Sequence, residues 1–279
     1  MTIRRLTRKD RAAVERLCAR AGSEDFVPLY FERIIEEKAG FGFEEGESLC
    51  GIIFSTLVLD GEAWLFGLRV DPDHRRVGIG RCLTEHALKE VPRSCRLVRL
   101  GVFTDNRASM RLAGSFGFAE RAQYVFRESK KTPSTAAAAA DLKRVGPERL
   151  EEILARLMSD RRLQEHNLLL PHFYEWFRLT EESLAELIRN GWVWSVGEQL
   201  AVVSTELDDS EVEIGYLSDP CDRVLPAILE RFSPSLIEAS LPADPTLEEI
   251  LERHGFAVPR WGSAITIYER ELDQPGSPG

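Results

Sequence analysis

The residues with the clearest capacity for chemistry form a short basic loop that contains two glycines. The stretch DPDHRRVGIGR at 71–81 carries Gly78 and Gly80 together with Arg75, Arg76 and Arg81. Glycine lets a backbone approach a ligand closely, and the first turn of a helix has unpaired N–H groups at its positive end. The loop can therefore hold a phosphate group. A tight turn followed by a basic helix start is the alternative interpretation.

Two periodic segments must position this loop. The apolar run WLFGLRV at 64–70 predicts a strand that leads into it. After it, apolar residues recur at helical spacing over 79–91 and predict a helix. The order is therefore strand, basic glycine loop, helix.

A second motif follows downstream. The run at 97–103 predicts a buried strand, and NRASMRLAGSFGF occupies 106–118. Together with LRVDPDHRRVGIGRCL, this arrangement resembles the GNAT superfamily of acyl-CoA-dependent N-acyltransferases over about Thr2 to Glu128. Arg75, Gly78 and Gly80 fall on that family's Arg/Gln-x-x-Gly-x-Gly/Ala signature.

The resemblance implies how an acyl-CoA would bind. Its pyrophosphate would meet the backbone N–H groups of Arg76, Val77, Gly78, Ile79, Gly80 and Arg81. Its pantetheine arm would pair like an extra strand with Leu68, Arg69 and Val70, so the central strand must splay from the strand at 97–103. Asn106 matches the family's frequent asparagine near the arm, and Ser109 lies close to it in sequence. Asn106 could equally cap the helix that follows.

The catalytic groups are less clearly marked. The family resemblance assigns the Val70 N–H to the carbonyl oxygen. Many relatives place a tyrosine acid where this chain has Ala113. Tyr124 is a candidate substitute, although a buried strand tyrosine is the simpler interpretation. Glu47, Glu62 and a water relay are all open as the base, and exposed hairpin carboxylates of this kind are usually only solvated.

Length and composition set wider limits. A chain of 279 residues with 43% hydrophobic content can bury more than one core, so two domains are expected. The five cysteines show no CxxC pairing, and Cys18 and Cys82 lie on apolar faces of predicted helices. Reduced core thiols are therefore expected, and the five histidines show no metal-ligand spacing. The sequence predicts no metal site.

Charge is unevenly distributed. Residues 1–131 carry 23 Lys+Arg against 19 Asp+Glu, a balance of +4, whereas the remainder carries 13 against 27, a balance of −14. The acidic half argues against nucleic acid and is compatible with a cationic substrate. No apolar run reaches membrane-spanning length and no signal peptide is evident, which predicts a cytoplasmic chain without a membrane partner. A homodimer is left open.

The first half predicts an antiparallel meander that delivers the chain to the loop. A short strand at 3–6 is followed by helices at about 8–20 and 27–38, with Thr7 as a cap. Strands at 41–43 and 49–57 and a hairpin at Asp60-Gly61 then lead into the central strand. A further strand covers 123–126. These assignments predict a GNAT-like domain over 1–128.

A low-complexity stretch separates this domain from the rest. Residues 129–140 contain five consecutive alanines after a Ser/Lys/Thr/Pro run, which is typical of a linker. A short alanine helix is the competing interpretation of its second part. The second domain is expected at 141–273, followed by a tail at 274–279.

The second half repeats the order of the first. LKRV at 142–145 echoes the first strand, GEQLAVV at 197–203 echoes GESLCGI at 46–52, and Asp219-Pro220 echoes Asp71-Pro72. The basic glycine loop has no counterpart, because CDRVLPA at 221–227 contains no glycine and has an acidic residue. We therefore predict a degenerate GNAT-like second half; an unrelated α/β domain is the alternative.

The whole chain is thus predicted to be α/β (α+β), with two GNAT-like domains, each a mixed, mostly antiparallel sheet flanked by helices. The resemblance implies an N-acetyltransferase that moves an acetyl group from acetyl-CoA to a primary amine of a small molecule or peptide. A non-catalytic acyl-CoA sensor is the first alternative, favoured by Ala113. A nucleotide-binding enzyme is the second, and it is disfavoured because neither GK[ST] nor G-x-G-x-x-G is present.

Overall fold

The computed structural model describes residues 2–22, 26–129, 141–205, 211–232 and 236–272. They divide into two compact units. The first comprises 1–101, 106–119 and 268–279, and the second comprises 102–105 and 120–267, apart from the positions outside the described ranges.

The first half of the chain folds as the sequence predicts. Its strands are β1 (Thr2–Arg5), β2 (Ala39–Glu45), β3 (Ser48–Leu57), β4 (Ala63–Val70) and β5 (Leu97–Phe103). Its helices are α1 (Arg11–Ala21), α2 (Phe26–Glu37), α3 (Ile79–Glu90) and α4 (Arg107–Ser115), with 3-10 turns at Arg8–Asp10 and Pro72–His74. Strands β1 to β4 pair antiparallel in sequence order, and β5 joins β4 in parallel.

The core of the first unit lies between its first two helices and the sheet. Helix α1 places Val14, Leu17 and Cys18 on one face because they are three and four residues apart. They cluster with Phe31 of α2 and Phe54 of β3, neither of which has exposed surface. This packing orients the meander, so that β4 delivers the chain to the glycine loop.

The second half contains the remaining elements. Its strands are β6 (Ala119–Ser129), β7 (Lys143–Arg144), β8 (Leu169–His172), β9 (Glu175–Arg178), β10 (Val193–Val196), β11 (Gln199–Thr205), β12 (Glu211–Leu217), β13 (Leu236–Pro242) and β14 (Ala264–Glu271). Its helices are α5 (Leu150–Ser159), α6 (Arg161–Glu165), α7 (Glu181–Arg189), α8 (Val224–Arg231) and α9 (Pro245–Arg253), preceded by a 3-10 turn at Pro147–Arg149.

The predicted repeat is visible in the strand pairing. Strands β7, β10, β11 and β12 pair antiparallel in that order, and β13 joins β12 in parallel. This is the same succession of three antiparallel pairs and one parallel pair that β1 to β5 make. Both halves are therefore built on one mixed, mostly antiparallel plan, as the sequence predicts.

The closing strand of each half, β6 or β14, does not lie wholly in the unit that the predicted domain boundaries assign to it. The predicted boundary at residue 128 assigns β6 to the first domain, but β6 pairs antiparallel with β13 in the second unit. Conversely, the end of β14 belongs to the first unit, where Leu272 N–H donates to Arg96 O at 2.8 Å. A strand pattern does not specify its partner, because pairing depends on contacts between residues that are far apart in the sequence.

The linker, the C-terminal tail, the cysteines and the helices bear on the remaining expectations about the fold. The predicted linker lies outside the described residues except for Ser129, which ends β6, and the tail at 274–279 also lies outside them. All five cysteines are free, but Cys82 is exposed rather than part of a core. Among the described helices, none is both long and apolar enough to cross a membrane.

Candidate functional site

The central strand of the first unit separates from its neighbour, as predicted. Along the described strands, β4 pairs with β5 only at Ala63–Leu65, although β4 runs on to Val70. Its first three residues are buried, whereas residues 66–70 are partly exposed. A strand edge without a neighbouring strand presents backbone N–H and C=O groups to one side, so this edge can accept an extended ligand chain.

A bulge marks the point where the strands part. The register between β3 and β4 shifts between Ile52 and Phe54, opposite Gly67, whose φ is +65°. A side chain there would also meet the Phe54 ring, since a Cβ on Gly67 would lie 2.7 Å from Phe54 Cδ2. Bulges bend a strand and increase its twist. The glycine therefore permits the backbone conformation of this bulge, two residues after the pairing of β4 with β5 ends.

The backbone of Val70 faces this open edge. Asp71 N–H donates to Cys50 O at 2.9 Å, and Val70 is opposite Gly51. Because N–H groups in an antiparallel pair alternate in direction, the Val70 N–H must point away from β3. It is directed to the side where β4 has lost β5. This is the geometry expected for a donor to a bound carbonyl oxygen.

The predicted phosphate loop ends at the start of α3. Gly78 is the N-cap with φ +97°, and the first intrahelical bond runs from Cys82 N–H to Gly78 O at 3.0 Å. The N–H groups of Ile79, Gly80 and Arg81 precede that pattern and are available at the helix terminus. Arg76 also has a positive φ of 67°, a strained conformation for a side chain of this size.

The arginines of the loop have different environments. Arg75 is exposed, yet its Nε donates to Val70 O at 3.3 Å and its Nη2 to Ala21 O at 3.1 Å. It therefore braces the loop against the end of β4. Arg76 is exposed, and the Arg81 guanidinium lies 5.1 Å from the Phe116 ring centroid. The loop carries a dense positive charge beside the helix terminus.

A buried carboxylate that sequence reasoning missed fixes the loop's entry. Asp71 accepts from Asp73 N–H at 2.9 Å, and its second oxygen lies 2.8 Å from Arg20 Nε. Burial acts to raise the pKa of Asp71, but the Asp73 N–H, His74 and Arg20 together hold it below its usual value. Arg20 is 51 positions away, so no local pattern could have revealed this pair.

Helix α4 closes the other side of the loop. A Cβ on Gly80 would lie 3.6 Å from Leu112 Cδ2 and 3.8 Å from both Leu68 Cδ2 and Val70 Cγ2. Gly80 thus brings α3 and the open end of β4 into close approach. Asn106 caps α4, since its Oδ1 accepts from Ser109 N–H at 3.1 Å. The cap is confirmed; contact of Asn106 and Ser109 with a ligand stays a prediction.

The two carboxylates considered as bases lie at different ends of the sheet. Glu62 precedes β4, is only 7% exposed, and accepts from Arg96 N–H and Leu97 N–H at 2.7 and 3.0 Å. It is separated from Val70 by the length of β4, about 26 Å at 3.3 Å per residue. The structure therefore contradicts Glu62 as base. Glu47 is exposed in the β2–β3 turn, and its catalytic role stays a prediction.

Tyr124 has a structural environment. It belongs to the second unit, has no exposed surface, and its hydroxyl donates to Leu169 O at 2.5 Å. Burial raises the pKa of Tyr124 well above its usual value. These contacts oppose the assignment of Tyr124 as a general acid. Ala113, where the family resemblance leads to the expectation of a tyrosine, is buried on α4.

We expect Tyr124→Phe to lower the free energy of unfolding by about 1–2 kcal/mol, because one buried hydrogen bond is lost. Acetyl transfer should change by less than threefold when measured on the folded fraction. Thermal denaturation and initial rates would test this. A rate loss of about a hundredfold, the scale of a general acid, would restore the catalytic assignment.

In the second unit, the start of α8 and the end of β12 correspond to the start of α3 and the end of β4. Other residues of the second unit donate to or accept from the backbone there. Arg223 N–H and Val224 N–H, at the start of α8, donate to Gln199 Oε1 at 2.8 and 2.9 Å. Leu217 O, at the end of β12, accepts from Arg162 Nη2 at 2.7 Å. The helix terminus and the strand end therefore already have partners. No glycine loop follows β12, so the unit retains the shape of the site without its phosphate-binding part.

A hairpin covers the sheet of the second unit. At the turn between β8 and β9, His172 Nδ1 lies 2.9 Å from Ser204 Oγ on β11, and Phe173 N–H donates to Glu213 on β12. Burial raises the pKa of Glu213 to about 7. A Cβ on Gly215 would lie 2.9 Å from Pro171 O, so the hairpin touches the β12 backbone. These contacts hold the hairpin against β11 and β12, which is what a stabilising role of the hairpin requires.

Comparisons with known proteins agree with this architecture. Residues 10–118 match the family described as Acetyltransferase (GNAT) family. The [ribosomal protein bS18]-alanine N-acetyltransferase of Escherichia coli strain K12 is 36% identical over 86 residues, which is 30% of this chain. The match spans 57% of the relative's length, so the chain covers a little over half of that curated protein.

Solved structures resemble the chain over nearly its full length. A GCN5-related N-acetyltransferase from Sphaerobacter thermophilus gives a TM-score of 0.62 at 13% identity, covering 97% of this chain and 95% of the other. A tandem GNAT protein from the clavulanic acid biosynthesis pathway gives 0.56 at 15% identity, covering 99% of both. At these identities the likeness concerns the fold.

Proposed function

We propose that this chain is a tandem GNAT protein and that it transfers an acetyl group from acetyl-CoA to a primary amine; the family match over residues 10–118 and the fold likeness to a tandem GNAT protein support this. The observation that carries the proposal is the open edge of β4 directly beside the N-terminus of α3. A pyrophosphate needs the N–H groups at the N-terminus of α3, and a pantetheine arm needs the open edge of β4. Both occur in the first unit, whereas the second unit lacks the glycine loop, and the Arg223 and Val224 N–H groups at its helix start already donate to Gln199.

Each part of the donor meets a suitable group in this proposal. The free N–H groups at the start of α3 and the nearby arginines bind the pyrophosphate. In the segment of Leu68, Arg69 and Val70, the backbone groups that point away from β3 pair with the amides of the arm. The Val70 N–H donates to the thioester carbonyl oxygen, where negative charge develops as the amine attacks.

The proton transfers require little from side chains. Along β4, residues 66–70 offer Arg69 as their one ionisable side chain, and the adjacent Gly101 of β5 has none. A thiol with a pKa of about 8.5 is a tolerable leaving group near neutral pH, so a dedicated acid is dispensable. The amine must then attack in its neutral form, and the rate should rise with pH until the acceptor amine is deprotonated.

The acceptor is proposed to be a primary amine of a small molecule or peptide. The relative with 36% identity is named for acetylation of a ribosomal protein at alanine, which favours a peptide α-amine as the first acceptor to test. A small-molecule amine is the second candidate.

The test is a thiol-release assay with acetyl-CoA and a panel of amines, including Ala-initiated peptides, their N-blocked forms, and small primary amines. Release with a free amine and none with the matching blocked peptide would support the proposal. CoA binding without release for any acceptor would favour a non-catalytic acyl-CoA sensor. Absence of both binding and release would refute the site.

A further inference from the structure

A cluster of three metal-ligating side chains lies just before the glycine loop. Glu45 ends β2, Cys50 lies near the start of β3, and His74 ends the 3-10 turn at Pro72–His74. One donor atom from each side chain lies within 4.8 Å of the other two. The three come from separate segments, so their spacing in the sequence does not reveal the cluster.

The imidazole of His74 is oriented as metal-bound histidines are. Its Nδ1 lies 3.3 Å from Asp71 Oδ1, and its Nε2 lies 3.5 Å from Glu45 Oε2. Histidines that bind metals usually give their second nitrogen to a carboxylate, which fixes the ring. Asp71 is itself held by Arg20 at 2.8 Å. This contact leaves Nε2 of His74 on the side of Glu45.

Cys50 supplies a soft ligand in a protected position. It is 1% exposed, and its Sγ lies 3.4 Å from Ser48 O. A thiolate there would bring a second negative charge close to the Glu45 carboxylate. A divalent ion that displaces the thiol proton balances these two negative ligands.

We propose that this cluster binds one zinc-type divalent cation through Glu45, Cys50 Sγ and His74 Nε2. Thiolate and imidazole ligands favour zinc over magnesium or calcium, and three protein ligands leave a fourth position for water. Ligand atoms of a tetrahedral zinc site are about 3.3–3.8 Å apart, given its bond lengths. Glu45, with 46% of its side chain exposed, can move to close the remaining distance.

Such an ion would join the β2–β3 turn to the segment that enters the glycine loop. His74 is followed directly by Arg75, whose side chain braces Val70. The ion would act as a clamp on the loop, outside the chemistry of acetyl transfer. Its presence can therefore be measured without any acceptor or acyl-CoA.

The experiment titrates Co²⁺ into the reduced, full-length protein and follows the optical spectrum. We expect a thiolate-to-cobalt charge-transfer band that saturates at one equivalent and disappears when Zn²⁺ is added. Cys50→Ser should remove the band, whereas Cys82→Ser, which changes an exposed cysteine on α3, should keep it. Asp71→Asn should weaken binding by about 10–100-fold, the usual effect of losing such a supporting carboxylate.

Circular dichroism would verify that each variant is folded. If Cys50→Ser does not fold, His74→Gln decides, because its ring is partly exposed and its loss should weaken Co²⁺ binding at least tenfold. No band in the unaltered protein would overturn the proposal and leave a contact between Glu45 and His74 beside a thiol. The same conclusion follows if the band survives Cys50→Ser or is lost in Cys82→Ser.

Discussion

Gly78→Asp is expected to weaken acetyl-CoA binding at least a hundredfold while leaving the fold intact. Gly78 is exposed, and a Cβ built on it would meet nothing within 4 Å, so the new side chain causes no clash. The carboxylate would stand beside the free N–H groups at the start of α3 and repel the pyrophosphate. A hundredfold loss corresponds to about 2.7 kcal/mol of binding free energy.

Backbone strain must be separated from charge in this test. Gly78 has φ +97°, which side chains adopt at a cost of about 1–2 kcal/mol. Gly61→Asp is a matched control, because Gly61 also has a positive φ of 76° and open space, but lies in the turn before β4. Gly78→Ala adds the strain without the charge and should lose less affinity than the aspartate.

Isothermal calorimetry with acetyl-CoA would measure all three variants. We expect Gly61→Asp to bind normally and Gly78→Ala to be intermediate. Unchanged affinity in Gly78→Asp would refute the assignment of the phosphate site. Equal loss in Gly61→Asp would show that general destabilisation, and not the loop, is responsible.

Local patterns predicted the parts of this site that depend on neighbouring residues. The strand, glycine loop and helix over 64–91 follow from periodicity and from the conformational freedom of glycine. The splay between β4 and β5 followed only from the family resemblance. The bulge at Gly67 that accompanies it had no separate signal, because a glycine inside a strand run is compatible with several geometries.

The features that were missed depend on long-range contacts. Arg20 and Asp71, which fix the loop's entry, are in different elements, and so are Glu45, Cys50 and His74. The assignment of Glu62 as a base failed for a related reason. The sequence showed that a carboxylate lies near the central strand. Only the fold showed that this carboxylate accepts from the Arg96 N–H, at the end of β4 opposite to Val70.

The partner of a closing strand is also invisible to local pattern. The sequence suggests that a chain ending near Lys131 would contain a whole GNAT-like domain. In the structure, the first unit includes the end of β14 and lacks β6. We therefore expect such a truncated chain to be unstable, since it loses Glu269, a partner of a buried arginine.

That arginine gives the largest expected effect on stability. Arg99 of β5 is 1% exposed, its Nη1 lies 2.6 Å from Asp60 Oδ2, and its Nε lies 3.0 Å from Glu269 Oε2. The side chains of Asp60 and Glu269 are 4% and 5% exposed. Removing one partner of a buried ionic group typically costs about 3–5 kcal/mol, because the remaining charge stays buried.

We expect Arg99→Met to lose stability of that size at neutral pH, since two buried carboxylates then lie close together without the guanidinium. Glu269→Gln is the matched comparison. It leaves a neutral Arg99–Asp60 pair and an amide that can still hydrogen-bond, so about 1–2 kcal/mol is expected. Chemical denaturation at neutral pH would rank the two variants, and equal losses would contradict the ionic account.

The pH dependence of Arg99→Met provides an independent check. Without the arginine, the folded state holds two buried carboxylates whose negative charges are no longer compensated. Lowering the pH protonates carboxylates and so removes this buried charge, which costs the folded state more than the unfolded state. The deficit relative to the unaltered protein should accordingly shrink as the pH is lowered from neutral towards about 4. If the deficit is the same at both pH values, lost packing of the arginine side chain, and not its charge, stabilises the end of β14 in the first unit.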